Sequence, residues 1–179
     1  MSKFYFFLWL RWSVRLTLCS TILASVLSLL ATFYTYLSQG MVTLNSEVVK
    51  ALVDVFVFWF PVLWSFTLLL ALFRDLKYIF NSCVYGYELK LYSCDGKELL
   101  EQVGYGDLVK VWRKWFMLII WLVGSLMVLS LIYTYFFTTY SGVFDWFNIY
   151  WLFSFLLISG YFSFILMSAR CKRVKVEKC

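Results

Sequence analysis

The chain has 179 residues, of which 63% are hydrophobic, 23% aromatic and only 15% charged, and its mean hydropathy is +0.81. Ordinary soluble domains are roughly half apolar and about a quarter charged, so the excess apolar surface is expected to face lipid. The net charge of +6 comes without a basic stripe on a hydrophilic surface, which argues against nucleic-acid binding, and the absence of histidine removes the commonest general base and metal ligand.

Four apolar segments predict an all-α membrane protein with four transmembrane helices in a single polytopic domain, 1–179. The predicted spans are about 16–37, 51–73, 115–140 and 146–169. Each is long enough for an α-helix to cross about 30 Å of hydrocarbon, which takes roughly 20 residues. The remaining segments of substantial length are a loop, 74–114, and a tail, 170–179.

The aromatic-rich segment 4–12 precedes the first span and is expected to be helical. It either lies at the headgroup level or extends the span. Because its charges continue to Arg15 and no small-x-small cleavage site follows, residues 1–30 are interpreted as a retained signal anchor.

Small residues recur every fourth position in the first span, at Ser20, Ala24 and Ser28. This spacing places them on one helix face, where a neighbouring helix can approach closely. We therefore predict a packing face, the alternative being that small residues are merely tolerated there. Gly124 in the third span and Gly160 in the fourth are weaker candidates of the same kind.

Asp54 is the only charged residue within the second span. Deep in lipid it would indicate an ion or proton site, but it lies about one turn from the outer end of the span. Pairing with Lys50, four residues earlier, or contact with headgroup water is the preferred interpretation. Pro61 predicts a kink, which either adjusts packing or forms the hinge of a transporter.

The loop is expected to contain a small hairpin and an interfacial helix. Alternation over 87–92 predicts a strand, Asp95-Gly96 suits a tight turn, and 97–100 would be the second arm or a helix. Asp107 is expected to cap a helix over 108–112 that continues into the third span.

The sequence Val103-Gly104-Tyr105-Gly106-Asp107 is similar to the selectivity filter of potassium channels, in which backbone carbonyls line a pore. A filter follows a re-entrant pore helix, and the preceding segment 97–102 is too polar to form one. The glycines are therefore interpreted as a turn.

Basic residues set the expected orientation, because they collect on the cytoplasmic side of membrane proteins. Fifteen of the sixteen Lys and Arg residues lie before the first span, in the 74–114 loop or in the tail, and only Lys50 lies on the other side. Both chain ends and the loop are thus predicted to be cytoplasmic. Five basic residues next to spans are expected to contact anionic headgroups or an acidic partner: Arg113, Lys114, Arg170, Lys172 and Arg173.

Cysteines on the predicted cytoplasmic side are expected to be free thiols, since that compartment is reducing. They are Cys83, Cys94, Cys171 and Cys179. An all-cysteine zinc site is the alternative, but nothing in their spacing favours it.

The pattern favours a non-catalytic multi-pass membrane subunit: an anchor, scaffold or assembly component of a larger complex, most simply in a bacterial inner membrane. Its expected partners are the lipid bilayer and other membrane-protein subunits, with no nucleic acid, cofactor or metal. The alternative is a small channel or transporter that uses Asp54 and Pro61. An intramembrane enzyme is least favoured, because the spans contain neither histidine nor a second acid.

Overall fold

The computed structural model describes residues 2–41, 43–80, 82–92, 105–137, 148–170 and 174–179. Within these ranges the chain forms four helices and two strands, in the order α1 (Ser2–Ser38), α2 (Ser46–Leu76), β1 (Tyr87–Leu91), α3 (Tyr105–Phe137), α4 (Ile149–Arg170) and β2 (Val174–Lys178). Each helix is long and apolar enough to cross a membrane. The prediction of four membrane-length helices is therefore confirmed, and a membrane protein is indicated.

A local cap explains where helix α4 begins. The side-chain oxygen of Asn148 accepts hydrogen bonds from the backbone N–H groups of Tyr150 and Trp151, at 3.1 and 3.2 Å, so α4 starts at Ile149. At α2, the carbonyl of Asn45 accepts a hydrogen bond from the N–H of Val49. Helix α4 begins three residues after the predicted start of the fourth span, because the hydropathy profile contains no information on capping.

Pro61 lies inside α2, which continues through it from Ser46 to Leu76. The α1 helix likewise has no break between Ser2 and Ser38, so the segment 4–12 extends the first span. Extension of the first span is one of the two arrangements expected for this segment. Helix α3 begins at Tyr105, two residues before the predicted cap Asp107, which therefore lies in the first turn. The expected interfacial helix is simply the start of α3.

Residues 105–107 of the filter-like sequence are helical, whereas a potassium filter is non-helical backbone that follows a pore helix. The turn expected there is therefore absent at 105–107. Residues 103 and 104 lie outside the described ranges.

The chain divides into two compact units: Val14–Asp75, and Met1–Ser13 together with Leu76–Cys179. We call them the smaller and the larger unit. The smaller unit contains most of α1 and nearly all of α2. The larger unit contains the first turns of α1, both strands, α3 and α4. Each unit includes part of α1. A single polytopic domain over 1–179 stays a prediction.

The two strands form an antiparallel sheet in the larger unit, with Tyr87 opposite Lys178 and Leu91 opposite Val174. Strand β1 agrees with the strand predicted over 87–92. Its partner β2, however, comes from the tail, which the sequence pattern did not predict. The Asp95-Gly96 turn and the arm over 97–100 lie outside the described residues. Leu89, Leu91 and Val174 are buried, so the sheet has an apolar side.

Candidate functional site

Three aromatic side chains form what we call the aromatic centre of the larger unit: Trp12 of α1, Trp115 of α3 and Phe164 of α4. At most 2% of each is exposed. The Trp12 ring stands edge-on to Trp115 and Phe164, with centroids 5.9 and 5.3 Å apart, while Trp115 and Phe164 stack at 6.0 Å. Such pairs contribute about 0.5–1.5 kcal/mol each beyond the area that they bury. Three helices are therefore joined by one set of ring contacts.

Gly160 makes the aromatic centre possible. A Cβ atom at this position would meet the six-membered ring of Trp12, at 2.7 Å from Cη2. Only glycine lets the ring approach the α4 backbone this closely. One turn later, Ser163 Oγ accepts a hydrogen bond from Trp115 Nε1 at 2.9 Å and donates one to the carbonyl of Gly160 at 2.7 Å. The buried indole N–H of Trp115 is thereby satisfied.

Two further hydrogen bonds attach the start of α1 to α4. Trp9 Nε1 donates to the carbonyl oxygen of Leu157 at 2.8 Å, and the hydroxyls of Tyr5 and Ser168 are 2.6 Å apart. Phe4 and Leu8 are buried on the same face as Trp12, as residues four apart on a helix should be. This part of α1 is therefore a packed element of the larger unit.

The small-residue face of α1 is buried in the smaller unit, since Ser20, Ala24 and Ser28 are each 0% exposed. Ser20 contacts α2 directly: its carbonyl accepts from Thr67 Oγ1 at 3.1 Å, and its hydroxyl accepts from Trp64 Nε1 at 3.2 Å. At Ser20 the helix that packs against this face therefore belongs to the same chain.

Gly124 is placed differently from Gly160. It is only partly buried, and a Cβ atom there would meet no described atom within 4 Å beyond its own stretch of helix. Within the described residues, no close helix approach depends on it.

The candidates for transport lie on α2. Asp54 and Lys50 are both exposed, and neither a salt bridge nor a hydrogen bond joins these two described residues. Pro61 is partly buried within the continuous helix. No described contact therefore joins Asp54 and Pro61 to a further charged group.

An ion pair between a buried carboxylate and a partly exposed guanidinium lies near the end of α2 and was not predicted. Arg15 Nε lies 3.3 Å from Asp75 Oδ1, and 1% of the Asp75 side chain is exposed against 39% of the Arg15 side chain. The other carboxylate oxygen, Asp75 Oδ2, is buried without a hydrogen-bond partner. A signal existed in the sequence: Arg15 and Asp75 each lie within two residues of the charged end of a predicted apolar span.

Three of the five basic residues that are expected to contact headgroups lie within the described ranges. Arg113 and Lys114 are exposed near the start of α3, and Arg170 is the last residue of α4. Lys172 and Arg173 lie outside the described residues.

A cluster of charged and phenolic groups joins the two strands. Glu88 and Glu177 stand directly opposite each other, an unfavourable arrangement that Lys90 offsets with its Nζ 2.9 Å from Glu88 and 3.1 Å from Glu177. Tyr92 donates a hydrogen bond to Glu177, and the ammonium of Lys175 lies 5.0 Å from the Tyr92 ring centre. The hydrogen bond from Tyr92, followed by that from Lys90, lowers the pKa of Glu177, so this carboxylate is held in its charged form.

A disulfide joins Cys83 to Cys179, with the two Cα atoms 6.1 Å apart. The expectation that these two residues are free thiols is wrong. Pairing of β1 with β2 brings together residues 96 positions apart, and no feature of the local sequence predicts that pairing. Cys19 is free and partly buried, while Cys94 and Cys171 lie outside the described residues.

Comparison with protein-family models, with curated proteins and with solved structures finds no match to this chain. Among the described residues, no cluster of three or more His, Cys, Asp or Glu side chains is arranged to hold a metal ion. The features that the described residues offer as a candidate site are the helix packing and the sheet with its disulfide.

We expect Gly160→Ala to destabilise the protein by about 1–3 kcal/mol, because the added methyl group would overlap the Trp12 ring. Gly124→Ala is the matched control: it fills open space and gains helix propensity, so its effect should be neutral or stabilising by up to about 1 kcal/mol. Thermal unfolding of both variants in the same detergent measures the difference. Equal shifts would contradict the close approach.

We also expect Arg15→Ala to cost about 1–3 kcal/mol, because it removes the salt-bridge partner of the buried Asp75 carboxylate. Asp75→Asn removes that buried charge and should cost less in the Arg15→Ala background than in the wild type. A double-mutant cycle of unfolding free energies measures the coupling. Additive effects would show that the pair contributes nothing to stability.

Proposed function

We propose that the chain is a non-catalytic multi-pass membrane subunit that anchors, scaffolds or helps to assemble a larger membrane complex. The observation that carries the proposal is the large aromatic surface left outside the packed contacts. Trp121, Tyr135 and Phe136 of α3 are each more than 70% exposed, as is Tyr34 of α1. Lipid covers such surface, and partner helices carrying complementary small residues can cover it equally well.

The polar groups within the helices support a structural role. Several hydroxyls donate to a carbonyl three or four residues earlier in their own helix, namely those of Ser13, Thr32, Thr35, Ser125 and Thr134. A hydroxyl used in this way donates its proton to the backbone of its own helix, whereas a catalytic nucleophile donates its proton to a base. The sequence contains no histidine to act as that base. These groups therefore favour recognition over chemistry.

We further propose that both chain ends and the 74–114 loop are cytoplasmic, most simply at a bacterial inner membrane. The imbalance of fifteen basic residues to one supports this orientation. The exposed Arg113 and Lys114 would then meet the anionic headgroups of the cytoplasmic leaflet. The same orientation puts the disulfide of Cys83 and Cys179 on the reducing side of the membrane.

Purification tests the proposed subunit role. The tagged full-length chain, extracted in mild detergent and passed through size exclusion, should retain at least one membrane protein at near-equal amount by quantitative mass spectrometry. An unrelated four-span protein, tagged and expressed equally, controls for non-specific capture. A homogeneous chain without any such protein would overturn the proposal.

Single-cysteine labelling tests the orientation, in a background with all five native cysteines replaced by serine. Asn45→Cys and Lys77→Cys flank the same helix, α2, and both positions are exposed. A membrane-impermeant maleimide should label Asn45→Cys in intact cells and Lys77→Cys only after permeabilisation. The reverse pattern would invert the proposed topology.

A further inference from the structure

The disulfide lies at the end of the sheet where β1 begins and β2 ends. Cys83 precedes a tight turn in which the backbone groups of Val84 and Tyr87 exchange hydrogen bonds of 2.8 and 3.1 Å. Gly86 occupies the left-handed region, at φ 79°, and its carbonyl accepts a hydrogen bond from the N–H of Cys179 at 3.1 Å. The two cysteines are thus held at adjoining positions by backbone geometry.

Among the described residues the sheet is small, with two strands of five residues. Two-stranded sheets are marginally stable in water without further support. The register also places like charges opposite each other at two positions, Glu88 with Glu177 and Lys90 with Lys175. Burial of Val174 and the contact of β2 with α4 offset part of this cost. A covalent link between the strands therefore changes how firmly β2 is held.

Both cysteines are accessible to solvent, since Cys83 and Cys179 are exposed. Exposed disulfides are more readily reduced than buried structural ones. A basic group lies close to the disulfide: Arg11 Nη1 donates to Ser82 Oγ at 2.7 Å, next to Cys83. Positive charge of this kind favours the approach of anionic thiols and disulfides.

We propose that Cys83 and Cys179 form a reversible redox lock, which holds β2 on β1 when oxidised and releases the tail strand when reduced. Oxidation joins the two sulfur atoms with the loss of two electrons and two protons. These pass to a disulfide of the glutathione class, or to the disulfide of a dithiol oxidoreductase, which becomes two thiols. Reduction reverses each step by thiol–disulfide exchange.

The inference goes beyond the proposed subunit role, because it concerns the state of the tail and not what the helices bind. It also accounts for a disulfide on the proposed cytoplasmic side. Structural disulfides are rare there, whereas redox-sensing ones occur. A lock that opens and closes with the thiol pool is consistent with both observations.

Redox titration tests reversibility in native membrane fragments that contain the full chain. Cys19, Cys94 and Cys171 are replaced by serine, the fragments are equilibrated over a series of reduced-to-oxidised glutathione ratios, and free thiols are then counted by a maleimide gel shift. We expect the pair to pass from nearly all oxidised to nearly all reduced along the series. A pair that stays oxidised throughout, or never forms, would overturn the proposal.

Hydrogen–deuterium exchange tests the release of the strand. Peptides covering 174–179 should lose backbone protection when the pair is reduced, while peptides from the middle of α4 keep theirs. Cys83→Ser and Cys179→Ser should show the reduced pattern whatever the glutathione ratio. Because the reduced chain keeps both Cys83 and Cys179, the comparison of its oxidised and reduced forms does not depend on whether a variant folds, and unchanged protection on reduction would refute the lock.

Discussion

The approach of the Trp12 ring to the backbone at Gly160 is the contact on which the larger unit depends. Helices in lipid gain little from the hydrophobic effect, because lipid tails are as apolar as the side chains that they would replace. Their association therefore rests on close packing and on hydrogen bonds between helices. Gly160 supplies the space, and Trp12 fills it while also contacting Trp115 and Phe164.

Burial of the aromatic centre leaves one indole N–H group without a hydrogen bond and gives the other a partner. Trp12 Nε1 is buried without a hydrogen-bond partner, which costs about 1–3 kcal/mol. Trp115, by contrast, donates to Ser163, which in turn donates to Gly160. In the smaller unit, Ser20 plays a comparable part by accepting from both Trp64 and Thr67. Small residues in these helices thus do two things: they allow approach, and they satisfy the donors of larger neighbours.

Charged groups form described contacts near the ends of the apolar helices and in the sheet. Asp75 forms a salt bridge with Arg15 near the end of α2. In the sheet, Glu177 forms a salt bridge with Lys90 and accepts a hydrogen bond from Tyr92. These groups stabilise local structure, and the exposed aromatic surface of α3 remains for lipid or a partner. The proposed recognition of other membrane proteins and the proposed redox response of the tail would therefore use different parts of the chain.

The sequence by itself determined the membrane class and the four helices, because a run of about 20 apolar residues has few other stable arrangements in water or lipid. It also located β1 from its alternation, and it singled out Gly160 as a small residue without showing what packed there. The pairing of β1 with β2, the disulfide that follows from it, and the burial of Asp75 against Arg15 were decided only by tertiary structure. Each joins segments far apart in the chain, and hydropathy and spacing report only on neighbours along the sequence. The contact of Trp12 with Gly160, 148 residues further on, belongs to the same class for the same reason.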